Sequence, residues 1–290
     1  MNAAAAPELT VTELTLYAGC MPGRPFRDYV HAAAGAGFTA ITMWPNIWFR
    51  AQRREGLTPR EMKLLADDHG VRITDLDPLG DWLPTPSAGT APGPMRNEMT
   101  RHDYFEFAAA LGASTIIAVD LVGAPVDVDA AAAGFASLCQ DAGQHGLRVA
   151  LEPVVFTEIR DLGTGWEIVS RAGQDNSGIV VDVAHHVRCG RDDDALRAIP
   201  PDRIVAVQLC DGPAVAPPDL YDEALFRRMF PGEGEMPVVE LLRLMGEMGV
   251  HAAIGPEMYN ATWEREPASA VAARLMASVR QVLSEAGAHG

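Results

Sequence analysis

Four oxygen-bearing side chains interrupt short apolar stretches in the second half of the sequence. They are Glu152 in RVALEPV, Asp182 in GIVVDVAH, Gln208 in IVAVQLCDG and Glu257 in HAAIGPEMY. A carboxylate that is removed from water without a partner is strongly destabilising, so such a group must be paired, hydrogen-bonded or bound to a metal. Each of these residues, taken alone, could also cap the next helix or form half of an ion pair.

A shared metal ion is the partner that would explain all four side chains together. Three carboxylates that met at one point would repel one another strongly, and a divalent cation would neutralise them. Carboxylate and amide oxygens are the ligands that Mn²⁺ and Mg²⁺ prefer, whereas zinc would recruit more His or Cys. We therefore predict an Mn²⁺ or Mg²⁺ site formed by Glu152, Asp182, Gln208 and Glu257.

The surrounding elements must bring these residues together. Short runs rich in Val, Ile and Thr alternate with segments of helical period, which is typical of βα units and a parallel sheet. The candidate strands cover residues 13–19, 39–45, 72–79, 114–122, 148–154, 178–185, 204–212 and 251–259. Eight units in 290 residues, without a glycine fingerprint after the first strand, predict an α/β fold of the (β/α)8 TIM barrel type. We expect one domain over residues 1–290, with a short flexible N-terminal segment over residues 1–10.

Strand parity supports a common site for the four side chains. Active sites of such barrels lie at the carboxyl ends of the strands. The residues two positions earlier on each strand are small or apolar, namely Ala150, Val180, Ala206 and Gly255. Because alternate residues of a strand share a face, this pattern is typical of an inward face that ends in a polar layer.

Punctuation residues predict the boundaries of helices and loops. Thr58 and Pro59 should begin a helix as its N-cap and first residue, and Gly70 should close it. The stretch over residues 81–95 is rich in Pro, Gly, Ser and Thr, which predicts a long loop over the active face.

Composition limits the classes of partner. The formal net charge of -16 at pH 7 would repel nucleic acids and anionic membrane surfaces, so we expect a small-molecule substrate, no nucleic acid and no membrane. The four cysteines form no zinc or disulfide framework, and the first residues do not resemble a signal peptide. These features favour a cytoplasmic protein, and they leave open whether it forms a homo-oligomer.

The order of five motifs adds a family resemblance. LEPVVF, VVDVAHH, VQLCDG, RMFPGEGEMPV and GPEMYN follow one another along strands five to eight. Their order resembles the xylose isomerase-like TIM barrel superfamily, in its branch of sugar phosphate isomerases and epimerases. That branch includes ketose 3-epimerases, hydroxypyruvate isomerase, inosose dehydratase and 3-dehydroshikimate dehydratases. The resemblance implies metal ligation by the residues already named, namely Glu152, Asp182, Gln208 and Glu257.

The resemblance also implies roles in catalysis. Glu152 and Glu257 would serve as an acid and base pair on opposite faces of the substrate. His185 would lie beside the metal, as a substrate partner, as a base in the manner of the dehydratase relatives, or as a residue that only orients Asp182. Many relatives have His in place of Gln208, and this departure keeps the metal site but leaves the reaction open.

Four further residues are predicted to contact the substrate. Arg228 precedes the FPGEGEMP turn and is a candidate clamp for an anionic group or a hydroxyl, and by the resemblance it would reach the substrate. Trp44, Trp82 and Phe156 follow strands two, three and five, where aromatic walls would suit the apolar face of a sugar or cyclic keto compound. Burial in the core is the alternative for each ring.

These observations predict a divalent-metal-dependent isomerase or epimerase of a keto sugar or related polyol. The reaction would begin by proton abstraction next to a metal-chelated carbonyl. The alternative is a metal-dependent dehydratase or lyase that acts on a cyclic keto acid or keto-glycoside. A DNA-repair nuclease is disfavoured by the acidic charge, and a barrel that binds ligands without catalysis is disfavoured by the complete set of candidate ligands.

Overall fold

Eight parallel strands close into a barrel in the computed structural model of the chain, which describes residues 8–83, 99–121 and 125–288. Each strand pairs with the next one, and the last strand pairs with the first. The strands are β1 (Thr10–Leu16), β2 (Ala40–Met43), β3 (Arg72–Leu79), β4 (Thr115–Val119), β5 (Arg148–Glu152), β6 (Ser177–Asp182), β7 (Ile204–Leu209) and β8 (His251–Pro256). This closed parallel barrel confirms the predicted fold class.

One or more helices follow every strand, and several pairs of neighbouring helices pack on one another, as the first helix does on the last. The helices are α1 (Phe26–Ala36), α2 (Pro45–Glu55), α3 (Pro59–Asp68), α4 (Arg101–Leu111), α5 (Val128–Gln144), α6 (Leu162–Ala172), α7 (Val183–Arg188), α8 (Asp193–Arg197), α9 (Leu220–Phe226), α10 (Val238–Met248) and α11 (Ala268–Ala286). Thr58 caps α3 as predicted, because its hydroxyl accepts the Glu61 N–H at 3.3 Å. Gly70 follows α3 with a φ of 69°, a left-handed conformation that glycine adopts readily.

Several predicted boundaries are wrong, since the strands predicted over residues 13–19, 114–122, 204–212 and 251–259 lie at Thr10–Leu16, Thr115–Val119, Ile204–Leu209 and His251–Pro256. The sixth strand ends at Asp182, because the Asp182 Oδ1 accepts the His185 N–H at 2.6 Å and so begins α7. The predicted flexible segment over residues 1–10 is also too long. Leu9 is buried and Thr10 pairs with His251 of β8, so the barrel begins there. Residues 1–7 lie outside the described part of the chain.

The barrel interior confirms the predicted inward face. Tyr17, Ile117, Ala150, Val180 and Ala206 form one buried apolar cluster. Because side chains alternate along a strand, the residues two positions after the last three point the same way at the carboxyl ends of β5, β6 and β7. On these three strands the interior is therefore apolar below a polar layer.

Three further features bear on the predictions from composition. Cys20, Cys139, Cys189 and Cys210 are free thiols. Among the described helices, none is both long and apolar enough to cross a membrane. The predicted loop over residues 81–95 falls, from residue 84 onward, outside the described residues.

Candidate active site

A cavity opens at the carboxyl ends of the strands. Its lining includes three of the four predicted metal ligands, Glu152 at the end of β5, Asp182 at the end of β6, and Glu257 directly after β8. His185 of α7 and Arg228, which follows α9, also line it. The structure thus brings together residues from four separate parts of the sequence.

Glu152 is common to two compact groups of ligand atoms. In the first group, one atom each of Glu152, Asp182 and His185 lie within 4.8 Å of one another. In the second, carboxylate oxygens of Glu152, Glu257 and Asp77 lie within 4.8 Å of one another. The carboxylates therefore converge as a divalent ion requires, and two residues outside the predicted ligand set, His185 and Asp77, lie among them.

Gln208 lies below this cavity with an unsatisfied amide. Its side chain is fully buried, and neither its Nε2 nor its Oε1 makes a well-formed hydrogen bond with any described residue, although the amide lies close enough to Glu152 to lower the pKa of that carboxyl group. The Gln208 Cα pairs with that of Asp182 across β6 and β7. Because a buried amide without well-formed hydrogen bonds is costly, the Gln208 amide near Glu152 fits the oxygen donor that a divalent cation would use.

Asp182 combines a cap with a candidate ligand. One oxygen, Oδ1, caps α7 through the His185 N–H. The other, Oδ2, accepts no hydrogen bond from the described residues. The two interpretations offered by the sequence are therefore compatible, since the cap fixes the carboxylate and leaves one oxygen toward the cavity.

His185 is a buried imidazole at the edge of the carboxylates. Its Nε2 lies 4.0 Å from the Glu152 Oε1, and its Nδ1 has no hydrogen-bond partner in the described ranges. Burial lowers the pKa of His185 to about 4. The negative charge of Asp182 raises this pKa and the positive charge of Arg228 lowers it, but burial dominates. The ring is therefore neutral near pH 7 and can accept a proton.

The electrostatics of the carboxylates also favour a cation. Burial raises the pKa of Glu152 and Glu257 well above the usual value, and the charges of Asp77 and Asp182 raise both further, as the charge of Glu152 does for Glu257. Burial likewise raises the pKa of Asp77 to about 7. A divalent ion would offset this repulsion and return the carboxyl groups to their charged form. The donor set of this cavity thus fits a divalent metal.

Arg228 is the cation of the cavity. It is 2% exposed, its Nη1 lies 3.4 Å from the Cys210 Sγ, and none of the described carboxylates lies within ion-pair distance. The loop around it is held by Asp211, whose two carboxylate oxygens accept the N–H groups of Gly232 and Met236 at 2.9 Å. Both oxygens of Asp211 are thus used to hold this loop.

Of the three aromatic residues that were predicted to contact the substrate, two line the cavity and one does not. Trp44 and Phe156 line the cavity, as predicted residues of a substrate wall would. The prediction for Trp82 is wrong, because its ring is 1% exposed and packs edge-on against Phe135 of α5. Its indole N–H donates to the Val119 carbonyl at 2.9 Å, so Trp82 belongs to the core.

Asp77, near the end of β3, was missed by the sequence analysis. It lines the cavity, and its Oδ2 accepts the Trp44 indole N–H at 2.9 Å. The available signal was the segment DLDPL, in which Asp75 and Asp77 alternate with apolar residues. That alternation places both carboxylates on the inward face of a strand.

Comparison with known proteins agrees with the fold. Residues 30–281 match the family model of the xylose isomerase-like TIM barrel. A 3-dehydroshikimate dehydratase of Pseudomonas putida is 26% identical over 252 residues, which cover 83% of this chain and 37% of that protein. An inosose isomerase of Halalkalibacterium halodurans is 27% identical over 124 residues, which cover 42% of this chain and 43% of that protein.

The chain therefore spans less than half the length of these curated relatives. Among solved structures, the IolI protein with a bound zinc atom superposes with a TM-score of 0.83 at 18% identity, covering 94% of this chain and 99% of that one. At this identity the superposition establishes the fold alone.

Proposed function

Because this chain belongs to the xylose isomerase-like TIM barrel family, we propose that it is a divalent-metal-dependent dehydratase of a cyclic keto acid. This was the alternative to the isomerase predicted from sequence. It is supported by the likeness to the Pseudomonas putida protein, whose name assigns it the dehydration of 3-dehydroshikimate. The proposed substrate class is a hydroxylated ring that carries a ketone and a carboxylate.

The observation that carries this proposal is the buried guanidinium of Arg228. It lines the cavity without a carboxylate partner in the described part of the chain. A buried charge normally needs a partner, and a substrate carboxylate would supply it through two parallel hydrogen bonds. A neutral sugar would leave the guanidinium without one.

We propose Glu152, Asp182, Gln208 and Glu257 as the residues that hold the metal. Mn²⁺ and Mg²⁺ suit these oxygen donors, and the nearby His185 nitrogen would also make zinc acceptable. When bound, such an ion polarises the substrate carbonyl and thereby acidifies the neighbouring C–H group.

His185 is the proposed base. Its ring is neutral near pH 7, because burial lowers its pKa to about 4, and it can therefore take the proton from the carbon next to the carbonyl. The C–O bond to the β-hydroxyl then breaks, and the same proton returns to the leaving oxygen, so one water is released and the ring gains a double bond. Trp44 and Phe156 flank the cavity and would keep bulk water from the substrate.

Product analysis tests this function. We expect the purified protein with added Mn²⁺ to convert 3-dehydroshikimate into a product lighter by one water, as measured by mass spectrometry. The His185→Gln variant should keep its metal affinity in calorimetric titration but lose most of the turnover. No loss of water with any divalent metal would contradict the proposal.

The isomerase or epimerase remains a second candidate because of the placement of Glu152 and Glu257. These carboxyl groups come from separate sides of the barrel and approach within 4.8 Å. A pair of this kind could remove a proton on one face of a keto sugar and return it on the other. A product of unchanged mass that contains solvent deuterium, and that requires both Glu152 and Glu257, would favour this candidate.

A further inference from the structure

Asp77 is a cavity residue that the proposed reaction does not use. It is 3% exposed, and its Oδ2 is held by the indole N–H of Trp44. The Trp44 ring is itself held, since it packs against Tyr259 with the ring centroids 5.3 Å apart. The Asp77 carboxylate is therefore fixed in orientation before any ligand arrives.

The second oxygen of Asp77 has no hydrogen-bond partner in the part of the chain that the structure describes. The Oδ1 accepts no hydrogen bond from the described residues, although the side chain is almost fully buried and lines the cavity. A carboxylate oxygen in this position can accept a hydrogen bond and can donate none when ionised. It thus suits the hydroxyl of a ligand.

The position of Asp77 in the barrel separates it from the guanidinium of Arg228. β3 carries Asp77 and β7 precedes the loop of Arg228, and these strands are four places apart in a ring of eight. A substrate carboxylate is attracted to Arg228 and repelled by Asp77, whereas a hydroxyl is accepted by Asp77. The two residues therefore define opposite ends for a ligand that carries both groups.

We propose that Asp77, held by Trp44, accepts a ring hydroxyl of the substrate at the end opposite its carboxylate and so determines specificity and orientation. The inference rests on the proposed function only in assuming that the substrate carries a carboxylate, which would lie at Arg228. The hydroxyl contact applies equally to a keto sugar.

Equilibrium binding to the metal-loaded protein tests the contact without catalysis. The probes are a trihydroxycyclohexene carboxylic acid, its analogues that each lack one hydroxyl, and a keto hexose with its deoxy analogues. We expect wild type to bind one deoxy analogue about tenfold more weakly than the parent ligand. Asp77→Ala should bind the parent ligand and this deoxy analogue equally, because the carboxylate that accepts the hydroxyl is gone. Trp44→Phe should lose part of the preference for the parent ligand, because Asp77 is then no longer held by the indole N–H.

Two controls separate the hydroxyl contact from other roles. Asp75→Asn removes a buried carboxyl group on the same strand that does not line the cavity, and it should keep the tenfold preference. Calorimetric titration with Mn²⁺ should give Asp77→Ala an affinity within about threefold of wild type, because Asp77 is not required as a ligand.

Three outcomes would overturn the inference. They are a wild type that does not distinguish parent and deoxy ligands, a preference that survives in Asp77→Ala, and an Asp77→Ala variant whose Mn²⁺ affinity falls by much more than threefold, because Asp77 would then act through the metal. Failure of the proposed function would give a different result. The cyclic acid would then bind no better than the keto hexose, and Arg228→Ala would not weaken the binding of the acid. The hydroxyl preference of Asp77 would still be measured with the sugar.

Discussion

Replacing Gln208 by Met should affect stability in opposite directions with and without metal. The amide is fully buried, and neither polar atom is hydrogen-bonded within the described ranges. An unsatisfied buried group costs about 1–3 kcal/mol. Part of this cost is offset because the amide lowers the pKa of Glu152, although burial dominates and keeps that pKa high. We therefore expect Gln208→Met to raise the free energy of unfolding by about 1 kcal/mol when chelator removes all metal.

In the presence of Mn²⁺, Gln208→Met should instead lower the free energy of unfolding. Loss of one oxygen ligand that weakens binding a hundredfold would remove about 2.7 kcal/mol of metal-dependent stabilisation at a fixed saturating concentration. Urea unfolding followed by circular dichroism, with chelator and with Mn²⁺, measures both values. Gln281→Met, at an exposed position of α11, is the matched control and should change neither. A Gln208→Met variant destabilised equally in both conditions would refute the argument.

Three further predictions concern single residues. Asp182→Ala should lose more Mn²⁺ affinity than Gln208→Ala in calorimetric titration, because a carboxylate attracts a divalent ion more than an amide does, and equal losses would contradict this. Glu223 forms an ion pair with Arg188, and both side chains are only 2% exposed. Glu223→Gln should therefore destabilise the fold by about 3 kcal/mol in urea unfolding, because it leaves the charge of Arg188 buried without a charged partner. A change below about 1 kcal/mol would show that water reaches the pair. The lowered pKa of His185 means that the folded state binds fewer protons than the unfolded state, so its stabilising contribution is present above about pH 6.5 and is lost as the pH falls toward 4. The difference in unfolding free energy between wild type and His185→Gln, in chelator, should shrink over this window, and a constant difference would contradict it.

Much of the fold was predictable because each βα unit carries a local signal. The strand of Arg72–Leu79 was predicted with its observed bounds, since apolar residues there are flanked by turn residues. One error occurred where a side chain ends a strand early. Asp182 interrupts an apolar run that extends to His185, and only the observed cap shows that the strand has already become a helix.

The candidate site was predictable only in part, because distances between strands are set by the closed barrel. The parity of the strands placed Glu152, Asp182 and Glu257 at one end, and the cavity contains all three. The sequence could not distinguish Trp44 from Trp82, since both follow a strand. Their difference arises from packing, because one lines the cavity and the other contacts the helix outside.

The charge balance of the cavity leads to a last prediction about protons. Among the described residues, those that line the cavity carry four carboxyl groups, of Asp77, Glu152, Asp182 and Glu257, against one guanidinium, of Arg228. A divalent cation leaves one excess negative charge if every carboxyl group is ionised, and a bound carboxylate ligand would add another. Because burial already raises the pKa of Glu152 and Glu257, a second excess charge should be met by uptake of a proton.

Calorimetry in buffers of different ionisation enthalpy measures this uptake directly. We expect about one proton to be taken up near pH 7 when the metal-loaded protein binds a hydroxylated cyclic carboxylic acid. A neutral keto hexose should bind without uptake, because it adds no charge beside the carboxyl groups. A binding enthalpy for the acid that is independent of the buffer would mean that the cavity carries the second excess charge unprotonated. The repulsion inferred from the four carboxyl groups would then be too large, and solvent would have to screen it.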